Sequence, residues 1–248
     1  SSFGYGSAMK ENLAGIEDYT RIGSLLQPEQ IVKYGELTLR ENQIAYAEPS
    51  FFRLFDFELL KGDKKTCLSM PGQVVITERI ASKYFKDEDP IGKIFIFTGA
   101  YDKISCEVTG VMKEMPSNSH IHYSFLISYK SLPKYMQEYW YKHEAYTYVL
   151  LDSPERKAEI EREFPVMAEK YKTDEALKNK TWGVSLIPLA DIHLTPQVGY
   201  EAETKGNRSS MIALIFAAIA ILAIAWINYI NLTVARSMER AKEVGVRR

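Results

Sequence analysis

The chain has 248 residues, 31 Lys and Arg against 32 Asp and Glu, and 46% hydrophobic residues. That length allows one or two domains with a buried core, and the apolar content excludes an intrinsically disordered chain. The balanced charge gives no support to nucleic-acid binding, and two cysteines, Cys67 and Cys106, are too few for a disulfide framework or a four-ligand zinc site.

In chain order, Ser7–Ile16 reads as a weak helix carrying Ala8, Leu13, Ala14 and Ile16. Strands are predicted over Tyr19–Leu26, Gln30–Tyr34 and Glu36–Arg40. Pro49–Phe55 reads as a short helix that starts on proline. Gln73–Ile76 is an apolar strand, and Thr77 caps a helix whose Ile80, Ala81, Tyr84 and Phe85 share a face. Asp89-Pro90-Ile91-Gly92 is a turn before strands at Lys93–Phe97 and Ser105–Met112. Pro116–Ser119 is a loop before the strand His122–Ser128. Further strands are predicted at Tyr146–Leu151 and Trp182–Leu189. Between them Ser153-Pro154-Glu155 opens a helix with Ile160, Phe164, Met167 and Tyr171 on one face, and Pro165 is expected to kink it. These elements imply an α+β domain over residues 1–205 in two lobes, the second inserted at about 125–185.

The composition changes at about residue 205. Met211–Ile227 contains no charged side chain, and the run continues to Ala235 with Asn228, Asn231 and Thr233 as its polar residues. As a helix over 208–235 it is long enough to cross a bilayer, whereas buried helices of soluble proteins are shorter and show a polar face. From Lys205 to the end there are seven basic residues, five of them after the apolar run, opposed there by Glu239 and Glu243. The positive-inside tendency makes that end cytoplasmic. Setting these nine aside leaves 24 basic and 30 acidic side chains in residues 1–204, a net of -6, on the outer side. The opening Ser1-Ser2-Phe3-Gly4-Tyr5-Gly6 has no export signal, so the sequence predicts that the protein begins earlier, with a first membrane helix, and continues past Arg248.

Four segments resemble one family. Val74-Val-Ile-Thr-Glu78 through Tyr84-Phe85, with Asp87-Glu-Asp-Pro90-Ile-Gly92-Lys93, is similar to a signature of MacB-type periplasmic core domains. Val108-Thr-Gly110-Val111 with Pro116-Ser-Asn-Ser119-His120, and Leu189-Ala-Asp-Ile-His193-Leu194, resemble two further blocks of that domain. Asn228-Tyr-Ile-Asn231 through Arg236, Glu239-Arg240-Ala-Lys242-Glu243-Val-Gly245-Val-Arg247 resembles the second membrane helix and first cytoplasmic loop of FtsX-like ABC transporter permeases. The resemblance implies a non-enzymatic permease subunit of the MacB/FtsX superfamily in the bacterial inner membrane, its outer domain periplasmic. It also implies a partner ATPase that binds the ATP, further permease helices and a second permease copy, with a periplasmic partner or substrate. No cofactor is implied in this chain.

The segment 236–248 alternates charge. Arg236, Glu239, Arg240, Lys242, Glu243 and Arg247 offer opposite-sign pairs at i,i+3, and Gly245 can end the helix and let backbone approach a partner. With the resemblance this is an ATPase-docking segment; without it, a basic flank at lipid headgroups. Asn228 and Asn231 lie one turn apart, and Ala213 and Ala217 offer small surfaces, so that face is expected to pack on another membrane helix. His120 and His122 share a face of an extended segment without an adjacent carboxylate or cysteine, which favours structural roles over a metal; His143 and His193 are isolated. Cys67 and Cys106 read as reduced and buried, and Glu78, Asp87, Glu88 and Asp89 as helix and turn residues. Tyr135, Tyr139, Trp140, Tyr141, Tyr146 and Tyr148 are either core or a partner surface. No P-loop, G-x-S-x-G, H-E-x-x-H or C-x-x-C occurs, so the energy source lies outside this sequence. The competing class is the sensor half of a single-span receptor.

Overall fold

The computed structural model describes residues 1–23, 29–99, 103–141, 143–172, 178–192 and 208–246, with side chains in the last stretch described over 212–238. The chain divides into two compact units, Ser1–Leu186 and Ile187–Arg248.

In the first unit, α1 (Tyr5–Asn12) ends at Leu13, and Gly15 at φ +84° turns the chain into β1 (Ile16–Gly23). Lys10 Nζ holds that turn by donating to the Ile16 and Glu17 carbonyls at 2.6 and 2.7 Å. The turn starts β1 three residues earlier than the apolar pattern alone predicts. The strands β2 (Gln30–Tyr34), β3 (Leu37–Glu41) and β4 (Ile44–Ala47) follow, then α2 (Phe51–Leu54) and β5 (Leu59–Lys61). β6 (Gln73–Thr77) leads into α3 (Glu78–Phe85). β7 (Ile94–Thr98), β8 (Lys103–Met112), β9 (Phe125–Ser128), α4 (Lys134–Gln137), β10 (Ala145–Leu151) and α5 (Arg156–Ala168) complete the unit.

The described strands form one mixed sheet in the order β10-β1-β4-β9-β6-β8-β7-β2-β3, with β5 on the end of β8. β4 and β9, and β6 and β8, pair in parallel; the other neighbours are antiparallel. The pleat divides the core. Val74, Ile76, Phe125 and Ile127 face one side with Phe95, Phe97 and the α3 residues Ile80, Tyr84 and Phe85. Val75 and Leu126 face the other with Phe51 and Phe52 of α2. A third core joins Tyr5, Ala8 and Met9 of α1 to Ile160, Phe164 and Met167 of α5 around Trp140.

Several details differ from the sequence reading. The stretch at about 125–185 is not a separate body: β9 lies mid-sheet, β10 pairs with β1, and α5 shares its core with α1. β4 and β5 are strands that the sequence pattern did not mark. Trp182–Leu189 forms no strand, although Trp182, Val184 and Leu186 alternate onto the third core. Thr77 stands at the α3 N-cap, yet its buried hydroxyl makes no hydrogen bond among the described residues. α5 starts at Arg156 and continues through Pro165 to Ala168.

One buried charge fastens these layers. The Arg21 side chain is 7% exposed and forms an ion pair with Glu48. Its Nη1 donates to the Phe3 carbonyl and, at 2.9 Å, to the Gln137 carbonyl. Its guanidinium carbon lies 4.3 Å from the centre of the Tyr129 ring. Burial disfavours the Arg21 charge, but Glu48 and the neighbouring tyrosines outweigh it and raise its pKa. Arg21→Met leaves the half-buried Glu48 unpaired, and should lower unfolding stability by about 3–5 kcal/mol in a urea titration followed by near-UV circular dichroism. A loss under about 1 kcal/mol would show that the clamp is dispensable.

The second unit contains a 3-10 turn at Leu189–Asp191 and α6 (Arg208–Val246), one helix of 39 residues. Its stretch Ile212–Met238 has 27 residues, mean hydropathy 2.4 and no part buried within the chain. At 1.5 Å per residue that stretch is about 40 Å long, enough for a hydrocarbon core with tilt. Thr233 Oγ1 and Ser237 Oγ donate to the carbonyls four residues back, at 2.8 and 2.9 Å, so both hydroxyls are satisfied within the helix. α6 runs on through Gly245, so that glycine does not end the helix.

Candidate functional site

Two features bear on function: the junction around Trp140, and α6 with its charged continuation. At the first, the Trp140 ring is 8% exposed. It stacks on Tyr171 at 4.5 Å and on Trp182 at 5.0 Å, and tilts against Tyr5 and Phe164. Ser2 Oγ donates to the Trp140 carbonyl at 2.8 Å, and the Gly4 N–H to the Tyr139 carbonyl at 3.1 Å. A Cβ on Gly4 would stand 2.3 Å from Trp140 Nε1, so only glycine allows this approach. Arg21 fixes both sides through the Phe3 and Gln137 carbonyls. Beside the ring is an open groove of about 180 Å³ between Ser7, Glu11, Glu138 and Tyr171. Leu186 N–H donates to Glu161 Oε1 on α5 at 2.7 Å. Residues 1–4, α1, α5 and 182–186 therefore meet at one indole.

On α6, helical spacing puts Ala213, Ala217, Asn228 and Asn231 on a single face, and Arg236, Arg240 and Glu243 on another. Arg236 is exposed. Glu239, Arg240, Lys242, Glu243 and Gly245 continue the same helix, their side chains outside the described atoms. Arg247 and His193 lie outside the described residues.

The other candidates do not converge. His120 Nε2 lies 3.1 Å from the Tyr148 hydroxyl and His122 Nε2 lies 2.7 Å from the Ser119 carbonyl. Among the described residues no three His, Cys, Asp or Glu side chains could hold a metal ion. His143 Nδ1 lies 3.3 Å from Ser2 Oγ, and burial lowers its pKa. Asp89 pairs with Lys61 at 3.0 Å and Glu88 with Lys93 at 2.8 Å. Those hydrogen bonds hold both carboxyls below their ordinary pKa. They fasten a turn in which Lys93 N–H donates to the Pro90 carbonyl and Gly92 takes φ +79°. Glu78 takes no part in that cluster: it lies at the start of α3, with Oε1 3.5 Å from the Glu114 amide. The aromatic group divides. Trp140, Tyr146 and Tyr148 pack into cores, while Tyr135, Tyr139 and Tyr141 are exposed. The Arg21 clamp was not singled out in the sequence; its signal is a lone arginine within an apolar strand end.

Residues 2–165 match the MacB-like periplasmic core domain. The chain belongs to the MacB-like periplasmic core domain family. No curated protein matches the chain by sequence. Among solved structures it resembles a domain of a Porphyromonas gingivalis protein described as a permease. The two are 22% identical at a TM-score of 0.60, over 71% of this chain and 73% of that one. It is also similar to the periplasmic region of MacB from Actinobacillus actinomycetemcomitans, 16% identical with a TM-score of 0.49, covering 66% and 72% of the two chains. The extracellular domain of the ABC-type transporter YknZ from Gram-positive bacteria is 17% identical with a TM-score of 0.47, covering 68% and 85%. The first unit is thus a MacB-like periplasmic core domain, and α6 is long and apolar enough to cross a membrane.

Cys67 and Cys106 are free and buried in cores on opposite faces of the sheet. Burial pushes both thiols up to about 12 from an ordinary 9.0. Both should resist iodoacetamide at pH 8 in the folded chain and react on unfolding. A folded pKa above the unfolded one adds stability that is complete below the unfolded value and lost as pH rises through the folded one. The urea midpoint should therefore fall from about pH 9 upward, and Cys67→Ala with Cys106→Ala should flatten that decline.

Proposed function

We propose that the chain belongs to a permease that couples ATP hydrolysis by a cytoplasmic partner ATPase to movement of its periplasmic domain, for export or for mechanical action on a periplasmic partner. The observation that supports this reading most is the unbroken course of α6. The helix carries the apolar stretch Ile212–Met238 and continues without interruption to Val246 through the charged segment. Eight residues beyond Met238 extend it by about 12 Å. A continuous helix moves as a rod, so a push at the charged end is delivered across the bilayer rather than absorbed in a loop. Arg236, Glu239, Arg240, Lys242, Glu243 and Arg247 are the docking residues, in the bacterial cytoplasm, and periodic opposite charges there favour a protein groove over a uniform lipid surface. Gly245 lies within the rod and gives close backbone approach.

The amides of Asn228 and Asn231 are costly in hydrocarbon unless they find partners. With Ala213 and Ala217 on the same face they direct that face to another helix of the permease or of its second copy.

Arg240→Glu and Glu243→Lys should each abolish transport-linked ATPase stimulation while the chain still inserts in the membrane, read by alkaline carbonate extraction; unchanged coupling would contradict the docking role. Replacing Asn228 and Asn231 together by Leu should weaken co-purification with the other permease helices, at a cost of about 1–2 kcal/mol, without loss of insertion.

A further inference from the structure

Residues 181–188 belong to no helix or strand, with Trp182, Val184 and Leu186 half-buried and Thr181, Gly183 and Ser185 exposed. That alternation is the pattern of a strand, yet no strand of the sheet accepts it. Among the described residues one hydrogen bond ties its backbone to the unit, from Leu186 N–H to Glu161 Oε1. The rest of its hold is side-chain packing: Trp182 lies flat on Trp140, 14° from parallel, with Lys172 Nζ 5.9 Å from its ring centre, and Val184 and Leu186 rest on the α1–α5 core. The strands of the sheet, by contrast, are held by ladders of backbone bonds, and β6 and β9 lie between buried faces. The stretch is also the last of this unit in chain order; residues 187–207 lead from it to α6.

We propose that residues 182–186 are a detachable strip. Tension arriving from the membrane helix peels it from Trp140 one side chain at a time, while the sheet stays folded. Its release uncovers Trp140 and the apolar side of α5, and frees α5 to shift against α1. The idea deepens the proposed coupling and rests on it for the source of tension, but the strip's detachability is a property of this unit alone. Peeling breaks contacts in series, so the strip yields under loads that a sheet, whose ladder bonds are loaded together, withstands.

Hydrogen exchange on the full chain in lipid nanodiscs, without any ATPase, tests this. The Leu186 amide should show measurable protection yet exchange about 100-fold faster than those of Phe125–Ser128, reporting local opening rather than global unfolding. Trp182→Ala should speed strip exchange about tenfold and leave Phe125–Ser128 unchanged, and Trp182→Phe should restore it to within about twofold. Exchange as slow as the sheet, equal acceleration of both regions by Trp182→Ala, or no protection of the strip at all would each overturn the proposal. A failure here leaves the charged-segment reading standing, and failure of the Arg240 and Glu243 variants leaves this result standing.

Discussion

The fold of the outer unit turns on Arg21. A guanidinium taken out of water is tolerated only if each face and edge finds a partner, and Arg21 finds Glu48, two main-chain carbonyls and the face of Tyr129. Those partners come from the approach to α2, the opening residues, the turn at Tyr129 before α4 and the last residue of α4. The charge thereby fixes the entry of the chain and the Trp140 turn to the second strand of the sheet. The glycines follow from the same constraint. Gly6 lies over Tyr19, where a Cβ would come within 2.6 Å of the ring, and Gly23 lies over Phe3 at 2.8 Å. The opening residues that look featureless as sequence are a closely packed strap.

The packing of the outer unit falls into two parts. The sheet, buried on both faces through β6 and β9, is the larger. The α1–α5 pair with Trp140 is a smaller body set against β1 and β10, and the chain leaves the unit from it.

Much of the fold was legible because burial writes itself into composition. Val74–Ile76 and Phe125–Ile127 are continuous apolar runs, as strands covered on both faces must be. The alternation at 182–186 correctly told that one side is buried. It could not tell whether a neighbouring strand was present, since the pattern of side chains records faces and not backbone partners. The four residues of β4 and three of β5 are too short to carry a period, and β4 is recognisable only from its pairing with β9 and β1. The division into lobes failed for a related reason: β9 and β10 join strands more than 70 residues earlier, and sequence order says nothing of such pairing. At the candidate site, the membrane helix and its charges were legible from composition. Arg21 and the Trp140 junction were not, because their meaning lies in contacts between residues up to 138 positions apart.

The central claim is that one helix carries movement between an outer domain and a cytoplasmic charged end. The most direct measurement is cysteine labelling in intact cells with a membrane-impermeant maleimide, at Ser117→Cys in the outer unit and Lys242→Cys beyond the apolar stretch. The buried Cys67 and Cys106 give a silent background. The account predicts that Ser117→Cys reacts from the periplasmic side and Lys242→Cys reacts only once the inner membrane is opened. Labelling of both from one side would contradict it.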